Sequence, residues 1–174
     1  KKQESIIYSL CLAFSMLLIS GILTQILKHL FGRPRPNYTD FENGFIFNFF
    51  ALDSNFHSFP SGHSSTIFMV CFILASFLPR LKYYFYFLAS IIAFSRVVVG
   101  AHFFTDIIGG AILSLVVFKT LNLLLSKFFE KKIISEVYFG ETKHVFYSLF
   151  FLISLVLFVT VGPTIDIYIA SLFY

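Results

Sequence analysis

Lys28, Arg35, His63, Arg96, His102 and Asp106 are the side chains able to do chemistry in a chain with little charge to spare. They arrive in three short stretches, "KHLFGRPRP" at 28–36, "FPSGHSS" at 59–65 and "SRVVVGAHFFTD" at 95–106. Three cations and a helix N-terminus make a pocket for a highly charged anion, and phosphate is the natural guest. Guanidinium forks grip two phosphate oxygens at once, an ammonium adds compact positive charge, and free amides at the start of a helix donate further hydrogen bonds. Ser61 is suited to cap such a helix, and Gly62 lets a ligand approach its backbone. His102 and Asp106 stand four apart, so on a helix they share a face one turn apart. The carboxylate is expected to accept the imidazole Nδ1–H, fix the tautomer and leave Nε2 as a lone pair able to attack phosphorus. His63, coming from another segment, is placed to give a proton to the leaving oxygen. This is phosphoryl transfer through a histidine, in which the protein positions the reactants and stabilises charge. Lys28, Arg35 and Arg96 take the part that metal ions play elsewhere, so no cofactor is expected. A metal held by His63, His102 and Asp106 is the competing reading, and the three nearby cations would repel it.

The elements that must position these groups are membrane helices. The chain is 57% hydrophobic and 13% charged, with a mean hydropathy of +0.84, outside the range of soluble domains. Residues 5–27 hold 23 positions without a formal charge, enough to cross about 30 Å of hydrocarbon as a helix. Further runs occupy about 62–79, 83–100, 103–126 and 144–161. No strand-like alternation separates them, and helices satisfy backbone groups in lipid without help from water. The expectation is an all-α integral membrane protein, a bundle of about five transmembrane helices forming a single domain over 1–174. Its motif core is 28–106, a long extracytoplasmic loop runs over 37–59, and 144–161 is an extra C-terminal span. The chain opens on Lys1 rather than Met, which fits a fragment, and its first run is too long for a cleavable signal. Cys11 and Cys71 each lie inside an apolar run, and no disulfide is expected between them.

The net charge of +4 suggests nucleic acid only until the cations are mapped. If the spans alternate, Lys1, Lys2, Arg80, Lys82, Lys127, Lys131, Lys132 and Lys143 share one side, which the positive-inside rule makes cytoplasmic. Lys119 snorkels towards that side. Lys28, Arg33, Arg35 and Arg96 belong to the opposite side, where orientation alone predicts few cations. The three reactive stretches therefore sit at hairpin ends on one extracytoplasmic face. Nucleic acid is not an expected partner; a lipid phosphate and the bilayer are.

These stretches resemble the type 2 phosphatidic acid phosphatase superfamily, whose pattern is K-x6-RP, then PSGH, then SR-x5-H-x3-D. Lys28 to Pro36, Pro60 to His63 and Ser95 to Asp106 match every defined position in order. The resemblance implies metal-independent removal of phosphate from a membrane lipid, on the extracytoplasmic side in bacterial members, and so an inner-membrane enzyme with its site facing the periplasm. Carried over, His102 is the nucleophile, His63 the acid and Asp106 the orienting partner. Lys28, Arg35, Ser61, Gly62 and Arg96 form the phosphate cradle. Undecaprenyl diphosphate heads the candidate substrates, followed by phosphatidylglycerophosphate, phosphatidic acid and a lipid A phosphate. The alternatives are a lipid phosphotransferase using the same intermediate and a non-catalytic lipid-phosphate binder or transporter component. Integral members usually have six spans, two of them ahead of the one ending in the lysine–arginine motif, whereas here one span precedes PSGH.

The remaining polar residues have plainer readings. Arg33 falls outside the K-x6-RP register and is expected to meet lipid headgroups. His29 faces a neighbouring helix or headgroups, His57 lies in the long loop, and His144 falls on the cytoplasmic side. Asp166 is expected to be a solvated charge in a short tail. Ser15, Thr66 and Ser114 are expected to bond to helix backbone, and Gly109, Gly110 and Ala111 to let helices pack closely. The aromatic 37–59 loop is either a lid lying at the interface or an ordinary loop with an apolar patch.

Overall fold

The computed structural model describes residues 2–39, 47–129 and 162–173. Among the described residues the chain is helical, without strands: α1 (Lys2–Phe31), α2 (Gly62–Phe77), α3 (Lys82–Val98), α4 (Phe104–Phe129) and α5 (Gly162–Ala170). The first four apolar runs thus become α1 to α4 close to their expected limits, and the fifth, 144–161, lies outside the described residues. α1, α3 and α4 are long and apolar enough to cross a membrane. α2 is apolar but has 16 residues, a rise of about 24 Å. The protein is an all-α membrane bundle.

Local chemistry sets each boundary. α1 ends at Gly32, whose φ of +52° is a left-handed conformation open to glycine. A Cβ there would sit 1.5 Å from the Asn48 carbonyl oxygen, so no other residue fits. Pro34 then bars further helix. Ser61 caps α2, its side chain accepting the Ser64 N–H at 3.4 Å, and α2 stops ahead of Pro79. Gly100, at φ +74°, makes the reversal from α3 into α4.

The core lies between α1, α2 and α4, where Leu12, Met16, Met69, Phe72, Ile73, Val117 and Phe118 form one buried cluster. Ala93, Val97 and Ile107 join α3 to α4 in a second. Leu10, Phe14, Leu18, Ile22 and Ile26 follow one another at four-residue intervals along α1 and are all exposed, the lipid-facing stripe of a membrane helix. Polar links lie inside the bundle as well. The Ser20 and Ser65 hydroxyls are 2.8 Å apart, joining α1 to α2. Ser114 Oγ bonds its own helix at the Gly110 carbonyl (2.9 Å) and also reaches across to the Ser65 carbonyl at 2.5 Å. Gly109 and Gly110 permit this closeness: a Cβ on Gly110 would stand 2.6 Å from the Ser61 carbonyl oxygen, and one on Gly109 would meet the Phe59 ring at 2.3 Å.

The loop limb returning from residue 47 is stitched to the end of α1. Asn48 N–H donates to the Gly32 carbonyl (2.8 Å), Arg35 N–H to that of Asn55 (2.9 Å) and Ser58 N–H to that of Arg33 (3.0 Å). Phe49, Phe50 and Leu52 point outward from it. α5, expected as part of a short tail, packs against α4.

Candidate active site

The segment from His57 to Ser61, between the loop and α2, gathers the three reactive stretches. From the first, Lys28 Nζ donates to the His57 carbonyl at 2.6 Å, which fixes a lysine otherwise nearly withdrawn from solvent. From the third, His102 Nδ1 bonds to the Ser58 carbonyl at 2.8 Å. Ser58 Oγ donates to Asp106 Oδ2 at 2.6 Å, and Ser61 N–H to the Asp106 carbonyl at 3.0 Å. The end of α3 is tied in through Arg96, whose carbonyl accepts the Ala101 and His102 amides at 3.1 and 3.2 Å. Ser58 is wholly buried, and no feature of the sequence marked it.

The imidazole of His102 is oriented differently from the sequence expectation. Asp106 Oδ2 lies 3.7 Å from Nδ1, beyond hydrogen-bond reach, and the Ser58 carbonyl takes its place. A carbonyl can only accept, so Nδ1 carries the proton, and in the neutral ring Nε2 keeps the lone pair. Nε2 has no hydrogen-bond partner among the described residues. The consequence expected of Asp106 is thus achieved by backbone, while the carboxylate stays near enough to favour a positive ring.

Asp106 is occupied with other partners. It accepts from Arg33 Nη1 at 2.5 Å, from Ser58 Oγ and from the Phe103 N–H at 2.8 Å. Arg33, expected at lipid headgroups, is 1% exposed and stacks on the Phe103 ring with Cζ 4.5 Å from its centroid. Its Nη2 reaches Asp166 Oδ2 at 2.5 Å. Asp166 is likewise buried, not solvated. Both expectations failed for one reason: a carboxylate at the mouth of a membrane bundle needs a cation beside it. The register of the lysine–arginine motif drew attention to Arg35 and away from the arginine two residues earlier.

Facing this buried side is a set of groups with few partners. His63 is exposed at the start of α2. The charges of Arg96, His102, Lys28 and Arg35 all act on it, in that order. Arg96 is half-buried with Nε unpartnered. Arg35 bonds through Nε to the Ser54 carbonyl at 3.2 Å, leaving the outer edge of its fork turned away from that contact. A Cβ on Gly62 would lie 3.9 Å from Lys28 Cε, so Lys28 passes over the first turn of α2. All eight side chains or backbone positions expected at the site, Lys28, Arg35, Ser61, Gly62, His63, Arg96, His102 and Asp106, therefore converge at one end of the bundle.

His29 and His57 do not join them. Their rings lie against each other at a tilt of 51°, centroids 4.3 Å apart, with His29 Nδ1 on the Gln25 carbonyl and His57 Nε2 on that of Ala51. Among the described residues, no three of His, Cys, Asp or Glu are grouped as metal ligands. The arrangement suits attack on a phosphorus by His102 Nε2 with cations around the phosphate oxygens.

Comparison with known proteins places the chain among phosphatases. The sequence model of the PAP2 superfamily matches residues 9–132, which include all three stretches. The chain is 37% identical over 97 residues to the lipid A 1-phosphatase of Rhizobium etli, covering 56% of this chain and 42% of that protein. The lipid A 1-phosphatase of Rhizobium johnstonii is 38% identical over 97 residues, with 56% and 40% covered. Phosphatidylglycerophosphatase B of Bacillus subtilis is 35% identical over 132 residues, with 68% and 58% covered. The chain thus spans from 40% to 58% of the length of these curated relatives. No solved structure matches it.

Proposed function

The chain belongs to the PAP2 superfamily, and from that premise and the site geometry we propose that it removes phosphate from a membrane lipid through a phosphohistidine. The observation that carries this reading is the Ser58 carbonyl on His102 Nδ1, which leaves Nε2 as a fixed nucleophile. Nε2 forms a bond to phosphorus as the bond from phosphorus to the lipid oxygen breaks. His63 gives that oxygen its proton, and the lipid alcohol, or lipid monophosphate from a diphosphate, departs. Water then attacks phosphorus on the opposite side from Nε2, His63 takes its proton, and inorganic phosphate leaves. Lys28, Arg35, Arg96 and the first amides of α2 hold the phosphate oxygens throughout. Asp106 does not touch substrate; its charge stabilises the positive ring formed on attack. No metal is needed in this scheme.

The names of the relatives favour a lipid A phosphate and phosphatidylglycerophosphate over undecaprenyl diphosphate and phosphatidic acid as substrates. All four belong in a panel assayed for phosphate release in detergent with EDTA present. We expect turnover with EDTA, and a phosphoenzyme that survives alkali and is lost in acid, as a phosphorus–nitrogen bond is. His102→Ala should abolish both, lowering kcat by at least on the order of 10⁴-fold. Turnover stopped by EDTA, or a phosphoenzyme persisting in His102→Ala, would reject the scheme. Label appearing on a lipid hydroxyl instead of free phosphate would assign a phosphotransferase.

The distribution of lysines and arginines supports an inner-membrane orientation with the site towards the periplasm. A cysteine introduced at Asn55, an exposed position beside the site, should react with a membrane-impermeant maleimide added outside intact spheroplasts. Reaction only after lysis would reverse the orientation.

A further inference from the structure

Asp166 and its partner Arg33 are buried charged groups that this scheme leaves unused, and Asp166 is the more distant of the two in sequence. It comes from α5, beyond residue 132 where the family match ends, yet it is 1% exposed and bonded into the support of the site. The need for it starts with α4. Phe103 precedes that helix and offers no side-chain acceptor for the free amides of the first turn. Asp106, three residues on, reaches back to the Phe103 N–H at 2.8 Å, which is half of a capping box. Asp166 supplies the other half from far along the chain. Its Oδ1 accepts the Thr105 N–H at 3.0 Å and its Oδ2 the Thr105 hydroxyl at 2.5 Å. That hydroxyl in turn accepts from Arg33 Nη1 at 2.8 Å. Arg33 completes the circuit by bonding Asp106 with one nitrogen and Asp166 with the other.

We propose that Asp166 is a positioning residue for the reaction, capping α4 from α5 and holding Arg33 so that the His102 imidazole keeps its place and its electrostatic surroundings. The inference rests on His102 being the nucleophile. One guanidinium between two carboxylates leaves a net negative charge behind the ring. In front of it stand Lys28 from α1, Arg35 from the segment after α1, His63 from α2 and Arg96 from α3, all positive or able to become so. The phosphorylated ring is positive and needs the negative charge behind it, because those cations are already committed to the phosphate.

The test is Asp166→Asn in the full chain in detergent, with phosphatidylglycerophosphate as probe. Phosphate release is followed from about pH 5 to about pH 9, the window in which histidine titrates, and thermal unfolding is followed in parallel. Removing the charge should lower kcat at least about tenfold and leave KM within about threefold, since no substrate contact is lost. It should also move the pH limb that reports deprotonation of His102 to lower pH, because one negative charge is lost from the cluster that Asp106 and Arg33 form behind the ring. An Asn variant that melts earlier but keeps the wild-type kcat and pH limb makes Asp166 a structural cap only and overturns the proposal. If the Asn variant does not fold, Asp166→Glu decides. That variant keeps the charge but displaces Arg33, so the limb should stay in place while kcat falls severalfold; a Glu variant with wild-type kcat overturns the proposal equally. A wild-type chain that releases no phosphate from any lipid in the panel refutes the phosphatase reading itself, a different failure from an active wild type matched by its variants.

Discussion

Arg33, Asp106 and Asp166 are each no more than 1% exposed and are bonded together through Arg33, whereas the side chains of His63 and Arg96 have no hydrogen-bond or ion-pair partner among the described residues. The same residue types thus meet opposite treatment within one site. Behind the ring, burial is deep, and an unanswered charge there would cost several kcal/mol; each carboxylate oxygen and both terminal guanidinium nitrogens are accordingly matched. In front of it, His63 is exposed and Arg35 and Arg96 are partly so, and the proposed phosphate would relieve the mutual repulsion of these cations. The contrast separates what the fold completes for itself from what it leaves for a substrate to complete.

The sharpest way to break that comparison is to remove His63, which touches nothing the fold requires. His63→Ala should unfold at the wild-type temperature and lose kcat by about 10² to 10⁴-fold on a lipid phosphate, the usual worth of a general acid. On a nitrophenyl phosphate, whose leaving group departs without a proton, the loss should shrink to about tenfold or less. Steady-state kinetics on the two esters decides the matter. Equal losses on both would make His63 a phosphate contact and not an acid, and a large drop in unfolding temperature would place it on the structural side of the divide.

The open side was legible in the sequence and the closed side was not, for a physical reason. On the proposed reading Lys28, Arg35, His63, Arg96 and His102 serve a phosphate, whose shape would dictate their types and spacings, and they stand out in an apolar chain. The helices were legible for a similar reason: charge-free runs of this length have few uses other than crossing lipid, and Pro34, Ser61, Pro79 and Gly100 mark their ends. The support behind the ring answers only to local geometry. Ser58 acts through its carbonyl, which every residue owns, and through a hydroxyl indistinguishable in sequence from that of Ser54. Arg33 and Asp166 are separated by 133 positions, and neither spacing nor periodicity joins them. The unanswered charge of Asp106 was the available signal. Asking which cation neutralises it would have pointed to Arg33, and asking what balances four cations on one face would have pointed to Asp166.

Two glycines give the comparison its finest test, because each takes the same added methyl on a different side. Gly110 belongs to the closed side, where a Cβ would stand 2.6 Å from the Ser61 carbonyl oxygen and 3.0 Å from the Ser65 nitrogen. Those are backbone atoms and cannot swing aside, so Gly110→Ala must push α2 from α4. It should cost about 1–3 kcal/mol of stability, the range for overpacking, read as a lower unfolding temperature in detergent. Gly62 belongs to the open side. A Cβ there meets the Thr24 methyl at 3.7 Å and Lys28 Cε at 3.9 Å, which are ordinary contacts. Gly62→Ala should therefore fold as the wild type does. Its methyl nonetheless occupies the first turn of α2, where the proposed phosphate approaches the amides, so kcat/KM should fall about tenfold, equivalent to about 1.4 kcal/mol. A Gly62→Ala enzyme with unimpaired kcat/KM would move the phosphate away from the helix start and leave its binding to Lys28, Arg35 and Arg96. A destabilised one would show that the first turn of α2 is packed as tightly as the region behind the ring, and that the open side begins further out, at His63.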